Sequence, residues 1–414
     1  MSETFEWFLG IDWGYDVHEF CLVDVTGQVR GTRAVAHTLT GVHEAAQWVQ
    51  QLTGRSPTHV AVGLETRWGA LVTTLLEHGF AVFAINPKQL DRFRDRFTSG
   101  GAKDDRRDAQ VAADALRTDR RAFRRVSPEA PAILHLRELC RMAEELQEQE
   151  VRLTNRLRDQ LYRVNAAWLT LSPAANEAWL WAVLAAAPHP DAWERLPRRL
   201  IRPALQAHRI RRVSVDDVRT ALQQPRMSVA PGVADAVALR IASLVPQLQL
   251  VHHQRVTTER DMERALARLA DAPLEGERHE HRDVEILQSL PGVGRYVAAT
   301  MLTEAAGPLA ERDYDTLRAH SGVAPVTKRS GKRAYLVHMR YACKWRLRQA
   351  LYHWARTSIQ HDAAARAYYD RLRARGHKHG RALRSVADRW LRILMALLTT
   401  RTLYDSSRFV AADA

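Results

Sequence analysis

The middle of the chain carries the pattern that most restricts its fold. Leu139, Ala143, Leu146, Glu150, Leu153, Leu157, Gln160 and Val164 recur at alternating four- and three-residue steps, with Glu, Arg and Gln between them. A mean period of 3.5 residues keeps these side chains in one stripe along an α-helix, a period that no strand can hold. A long helix is therefore expected over 136–164, with Glu150 and Gln160 as polar insertions in an apolar seam. The stripe must be covered, either by another chain in a coiled coil or by a helix of its own chain.

Upstream of the seam the periodicity is different. Apolar runs at 8–12, 19–25 and 28–35 read as strands, and Thr26-Gly27 between the last two favours a hairpin. Helical patterns at 42–52 and 69–77 alternate with strands at 59–65 and 81–85, and a further helix is expected over 104–117. The order β-β-β-α-β-α-β followed by a helix predicts an α/β domain with a mixed sheet over 1–125, the order of the ribonuclease H-like fold. Residues 130–275 are expected to form a helical, coiled-coil region. Residues 280–414 are expected to form a third, mostly helical domain whose pattern begins near Val284. The apolar stretch 390–403 is broken by Arg392 and Arg401 and reads as a packed helix, so no membrane-spanning segment is expected.

Lys and Arg outnumber Asp and Glu by 61 to 47, a formal charge of +14 with a pI near 10.2. A surplus of this size suits a polyanionic partner, because each neutralised phosphate releases counterions. Cys21, Cys140 and Cys343 form no CxxC pair, and the 18 histidines show no ligand spacing. A zinc site or disulfide framework is not expected, and a cytoplasmic, reducing location is.

Two strand ends and one helix start bear acids. Asp12 closes the first strand, Glu65 a later one, and Asp105 and Asp108 lie three apart, on one face of a helix. Each has an ordinary reading. Asp12 before Trp13-Gly14 suits a turn, Glu65 could pair with Arg67, and Asp104 with Asp105 suits a helix cap and first-turn acid. Together they suit Mg²⁺, which takes hard oxygen ligands and keeps phosphate oxygens in its shell. Four convergent carboxylates would repel one another without metal, so a loose or partly protonated site is expected in its absence. Asp16, Asp24 and Asp104 are left outside the set.

The segments GIDWG (10–14), GLET (63–66) and KDDRRDA (103–109) resemble the DEDD transposases of bacterial insertion sequences, whose N-terminal domain is similar to the Holliday-junction resolvase RuvC. The family motif usually has Thr where this chain has Asp104, so Asp105 and Asp108 align with the family acids. LPGVG (290–294), HSGVAP (320–325), KRSGK (328–332) and YDRLRARG (369–376) resemble the C-terminal transposase domain of the same family. The resemblance implies that Ser330 is a nucleophile forming a phosphoserine link to cleaved DNA, and that a structured noncoding bridge RNA guides the protein.

The residues around Ser330 agree with that role without establishing it. A serine hydroxyl needs a base, a metal or strong stabilisation of phosphorane charge. Lys328, Arg329, Lys332 and Arg333 suit phosphate binding but not base catalysis at neutral pH. Metal held by the acids would supply what the loop lacks, in a composite site drawn from both ends of the chain, within or between subunits. Ser330-Gly331 also suits a plain turn in a basic loop, and Ser321 is the rival serine, expected to cap or turn the chain. Gly292 and Gly294 before a helix resemble a helix-hairpin-helix, whose backbone amides approach a phosphate. Tyr335, Tyr341 and Trp345 could stack on bases. The leading expectation is a Mg²⁺-dependent recombinase acting on DNA with a guide RNA. The rivals are a junction endonuclease that hydrolyses DNA and a non-catalytic nucleic-acid-binding protein. Recombination joins four strands, so a homo-oligomer, dimer or tetramer, is expected, with the seam helix as candidate interface.

Overall fold

The computed structural model describes residues 4–96, 104–224, 228–230, 232–271, 280–330 and 333–406. The chain divides into two compact units, Met1–Glu129 and Ala130–Ala414.

In the first unit the strands are β1 (Trp7–Asp12), β2 (Val17–Asp24) and β3 (Val29–Ala36), followed by helix α1 (Leu39–Thr53), β4 (Val60–Leu64), α2 (Ala70–Glu77), β5 (Ala81–Ala84), α3 (Pro87–Arg94), α4 (Asp105–Asp119) and a two-residue β6 (Arg124–Arg125). The sheet order is β3-β2-β1-β4-β5-β6, with β1, β4 and β5 parallel and the outer strands antiparallel. The expected order of elements is present, with α3 and β6 added. Strand alternation divides the core into two layers. Leu9, Ile11, Phe20, Leu22, Val62 and Leu64 pack on α1 and α2, whereas Phe8, Cys21, Ala61 and Phe83 face α3 and α4. The hairpin expected at Thr26-Gly27 forms. The Asp24 carboxylate accepts from Thr26 N and Oγ1, Gln28 N and Arg30 Nε, and Gly27 takes φ +89°. Those bonds hold the Asp24 carboxyl far below the usual range, which accounts for it as a turn residue.

The second unit begins with α5 (Pro131–Val164), α6 (Ala167–Leu171), α7 (Ala178–Ala186), α8 (Arg198–Ala207), α9 (Val215–Leu222) and the long α10 (Val233–Asp271). It continues with α11 (Glu280–Ser289), α12 (Arg295–Glu304), α13 (Ala306–Ala310), α14 (Tyr314–His320), the hairpin β7 (Val326–Ser330) and β8 (Arg333–His338), α15 (Trp345–His361), α16 (Ala363–Ala374) and α17 (His379–Thr400). The regions expected at 130–275 and 280–414 share this one compact unit. The stretch expected as a packed helix near its end is the C-terminal part of α17, with Trp390, Leu391 and Leu394 buried.

The seam on α5 is covered from within the chain. Cys140 lies against Met262, with Sγ to Sδ at 3.6 Å, and Glu150 lies against His252 and Arg255, so α10 runs antiparallel along α5. The polar insertion is matched, because the Glu150 carboxylate accepts from Arg255 Nε at 2.8 Å. The pair joins two cores. Leu146, Leu153, Leu157 and Val164 pack with Val237, Ile241, Val245 and the tryptophans of the central helices. Ile133, Leu136 and Cys140 instead join Met262, Leu266 and the C-terminal helices. An 18-residue window of α10 is apolar enough to cross a membrane, yet Val237, Ile241, Val245 and Leu248 are fully buried within that core.

Candidate active site

Asp12 and Glu65 stand side by side. Strand β1 pairs in parallel with β4 with Ile11 opposite Leu64, so the next residue on each chain is an acid at the carboxyl edge. Period-two alternation puts Asp12 on the face of Gly10 and Glu65 on the face of Gly63. That face is covered by α4. A Cβ at Gly10 would stand 1.8 Å from the Ala109 carbonyl oxygen, and one at Gly63 3.2 Å from that of Ala112. Glycine therefore lets α4 lie directly on the sheet, which brings Asp108, the neighbour of Ala109, to the edge where Asp12 and Glu65 emerge.

Asp108 is buried in the first turn of α4, and Asp105 is exposed one turn nearer its start. Asp104 is the N-cap, its side chain accepting from Arg106 N at 3.3 Å. Arg94 at the end of α3 donates from Nε to Asp108 Oδ1 at 2.7 Å and from Nη1 to Asp91 Oδ1 at 2.7 Å. Burial opposes the Arg94 charge, but Asp108, Asp91 and Glu65 outweigh it and hold the guanidinium above its ordinary pKa. Arg94 thus places a cation beside Asp108, and it was missed in the sequence because it reads as an ordinary helix pair with Asp91. A further acid was also missed. Glu19 on β2 lies opposite Asp12 in register, its Oε2 is buried without a hydrogen-bond partner, and Arg106 Nε stands 3.7 Å away.

The loop after Asp12 is tied to β2 and to the end of β3 by a chain of hydrogen bonds. Gly14 N donates to His18 Nδ1 at 3.2 Å, so the proton of neutral His18 sits on Nε2 and is donated to His37 Nδ1 at 2.8 Å. Burial first, then the nearby His37, lowers the His18 pKa and favours this neutral form. The loop leaves Trp13 and Tyr15 exposed along a cleft of about 380 Å³ that Asp16 and His37 also line.

In the second unit Ser330 ends β7, opposite Arg333 at the start of β8. Lys328 and Arg329 are on β7, while Gly331 and Lys332 lie outside the described residues, as does Lys103 of the N-terminal motif. Ser321 is the C-cap of α14, buried, with Oγ donating to Arg318 O, as expected of the rival serine. Gly292 has φ +81°, and a Cβ there would stand 2.7 Å from Ser358 N, so both its backbone conformation and the packing of α15 require glycine. Gly294, the N-cap of α12, faces open space.

Two family models match the chain. One, described as a transposase of the DEDD type, covers residues 9–166. The other, described as the transposase IS116/IS110/IS902 family, covers 284–370. A putative transposase, y4uE, of Sinorhizobium fredii is 43% identical over 213 residues, 51% of this chain and 59% of that relative. The mini-circle putative transposase for IS117 of Streptomyces coelicolor is 28% identical over 98% of this chain and 96% of its own length. The insertion element IS110 43.6 kDa protein of the same organism is 30% identical over 82% and 81%. The carboxylate-bearing sheet and the helical unit that follows it are thus those of a transposase. More narrowly, the chain belongs to the IS110 family of DEDD transposases.

Proposed function

We propose that this transposase cuts and rejoins DNA through Ser330, with Mg²⁺ held by Asp12, Glu65, Asp105 and Asp108. The observation that carries the acid set is the pairing of Ile11 with Leu64, which sets Asp12 beside Glu65 on the face where α4 begins. The sheet order β3-β2-β1-β4-β5 supports reading the first unit as ribonuclease H-like, similar to RuvC.

The donor set suits a hard divalent ion, since all four groups are carboxylates on one sheet face or helix start. Among the described residues no three acids, histidines or cysteines form a ready-made ligand cluster, and Arg94 holds Asp108. The acids therefore fit Mg²⁺ in chemistry, in an open arrangement. When bound, the ion supplies charge neutralisation to a phosphodiester. Asp12 and Glu65 hold position from strand ends, and Asp108 from a helix start that favours anions. Attack by the Ser330 hydroxyl forms an Oγ–P bond and breaks a P–O bond of the strand, the leaving oxygen taking a proton. The phosphoserine diester conserves the bond energy, so the reverse step joins a new end.

Lys328, Arg329, Lys332 and Arg333 bind phosphates near the serine, and Gly294 leaves a helix N-terminus open to another. Trp13 and Tyr15 offer stacking surfaces for bases beside the acids. The bridge RNA, the cytoplasmic location and the oligomer follow from family membership and from the need to break four strands. With the α5 seam covered by α10, the large apolar side chains exposed for assembly on these helices, among the described residues, are Leu134, Met142, Val151, Tyr162, Leu239 and Leu250.

Trapping tests the reading. Wild-type protein with its guide RNA and DNA should give a covalent adduct that Ser330→Ala abolishes while still binding DNA. Recombination by Ser330→Ala at wild-type rate would refute the serine mechanism. Cleavage without any adduct in the wild type would favour the hydrolytic junction endonuclease. Asp12→Ala, Glu65→Ala and Asp108→Ala should bind and not cut; a wild type that binds without cutting, and that these variants match, would be a non-catalytic binder.

A further inference from the structure

Several part-buried arginines in the second unit pair with an acid. Arg312 meets Asp283 at 2.7 Å, Arg318 meets Asp388 at 2.7 Å, Arg346 meets Glu144 at 2.6 Å and Arg255 meets Glu150 at 2.8 Å. One group departs from this rule. Arg348 in the first turn of α15 and Arg381 and Arg384 in the first two turns of α17 face one another, and no carboxylate bonds any of them among the described residues. Burial first, then Arg348 and Arg381, depress the Arg384 pKa.

The local structure compounds the repulsion. Neither α15 nor α17 has an acid in its first turn, so two positive helix ends add to the guanidinium charges. Arg348 donates to the carbonyl oxygen of Arg340, and Arg384 Nη1 reaches Met339 Sδ at 3.4 Å, which ties the group to the foot of the β7–β8 hairpin. The Nε atoms of Arg340 and Arg348 are buried with no hydrogen-bond partner. Gly322, at φ +71°, lies over Arg348, where a Cβ would stand 2.9 Å from its Nε. Buried donors without acceptors and like charges without counterions both cost stability, and an anion relieves both.

We infer that Arg340, Arg348, Arg381 and Arg384 form a phosphodiester-binding site at the foot of the Ser330 hairpin, which holds a DNA phosphate away from the one that is cut. The site rests on the DNA-recombinase reading for its ligand, but its charge anomaly does not depend on cleavage. A guanidinium cradle takes a phosphate bidentately, which fixes the strand as well as attracting it.

The full chain is melted in low-chloride buffer, with and without inorganic phosphate at matched ionic strength, and titrated with a thymidine oligonucleotide and its uridine RNA counterpart. Phosphate should raise the Tm of the wild type. Arg384→Met, and the exposed Arg381→Gln, should melt higher than wild type without phosphate and lose the phosphate increment. Their DNA affinity should fall roughly tenfold, and the slope of log affinity against log salt by about one. A lower Tm of both variants in phosphate-free buffer overturns the inference, since the arginines would then be structural. So does unchanged DNA affinity with the increment lost, which marks a small-anion site only, or a dependence seen with RNA alone. Ser330→Ala and Asp108→Ala should keep the increment, so failure of the cleavage mechanism reads out separately.

Discussion

Arg94 donates from Nε to Asp108 Oδ1 at 2.7 Å, joining the end of α3 to the start of α4 through one of the four acids. A buried carboxylate that loses its partner is costly, typically about 3 kcal/mol. We expect Arg94→Met to lower unfolding free energy by about that amount in EDTA. Added Mg²⁺ should restore more stability to the variant than it gives the wild type. Denaturant melts with and without Mg²⁺ check this, and equal Mg²⁺ increments would show that Arg94 and the metal do not share Asp108.

The close approach at Gly10 is a second handle on the acid set. A methyl there collides with the Ala109 carbonyl, so α4 must move off the sheet. Gly10→Ala should destabilise by about 3 kcal/mol or more, and should weaken Mg²⁺ binding although no acid is changed. Calorimetric titration of Mg²⁺ into the folded variant is the measurement.

His18 predicts a pH dependence. Its folded pKa lies below the model-peptide value of 6.5, so near and below that pH the unfolded chain binds more protons than the folded one. Stability is fully present above 6.5 and is lost as pH falls through the folded pKa. His18→Asn should flatten this decline, as melts between about pH 7 and pH 5 would show.

Because the seam of α5 is internal, truncation there should unfold the protein rather than split an oligomer. Leu157 is completely buried against the central helices. Leu157→Ala should cost about 2–5 kcal/mol, with the mass by light scattering unchanged up to the melt.

The thiols give a simpler check. Burial raises Cys21 to about 11 and Cys140 to about 12, whereas Cys343 is part-exposed. A thiol reagent should titrate one cysteine in the native chain and three after denaturation.

What was legible in the sequence was local. Apolar runs and alternation placed β1, β2, β3, β4 and β5 within a residue or two, since β1, β4 and β5 are buried on both faces and β3 at the edge is mostly exposed. Asp12 and Glu65 stood out as acids that end apolar runs. Glu19 did not, since a polar residue within β2 is ordinary until its register with Asp12 is known. Arg94 and Asp108 are 14 residues apart on different helices, and Arg348 and Arg384 are 36 apart, so no periodicity links either pair. The partner of the α5 seam was left open in the sequence because the contacts that identify α10, such as Glu150 with Arg255, join residues 105 apart, which no local period links. Gly292 read as part of a phosphate-approaching loop, and its positive φ and its contact with the backbone of Ser358 were not legible in the sequence.

The α5–α10 pairing has a consequence for synthesis. Glu150 meets Arg255 105 residues later, so the seam leaves the ribosome well before the helix that covers it. At roughly 5–20 residues per second, Leu153 and Leu157 wait on the order of ten seconds for α10, with only the central helices of 167–222 to pack on. During that interval two nascent copies on one messenger can zip their seams together, and a chaperone that shields this segment competes with that error. Slower translation between residues 165 and 270 should therefore lower the yield of folded protein.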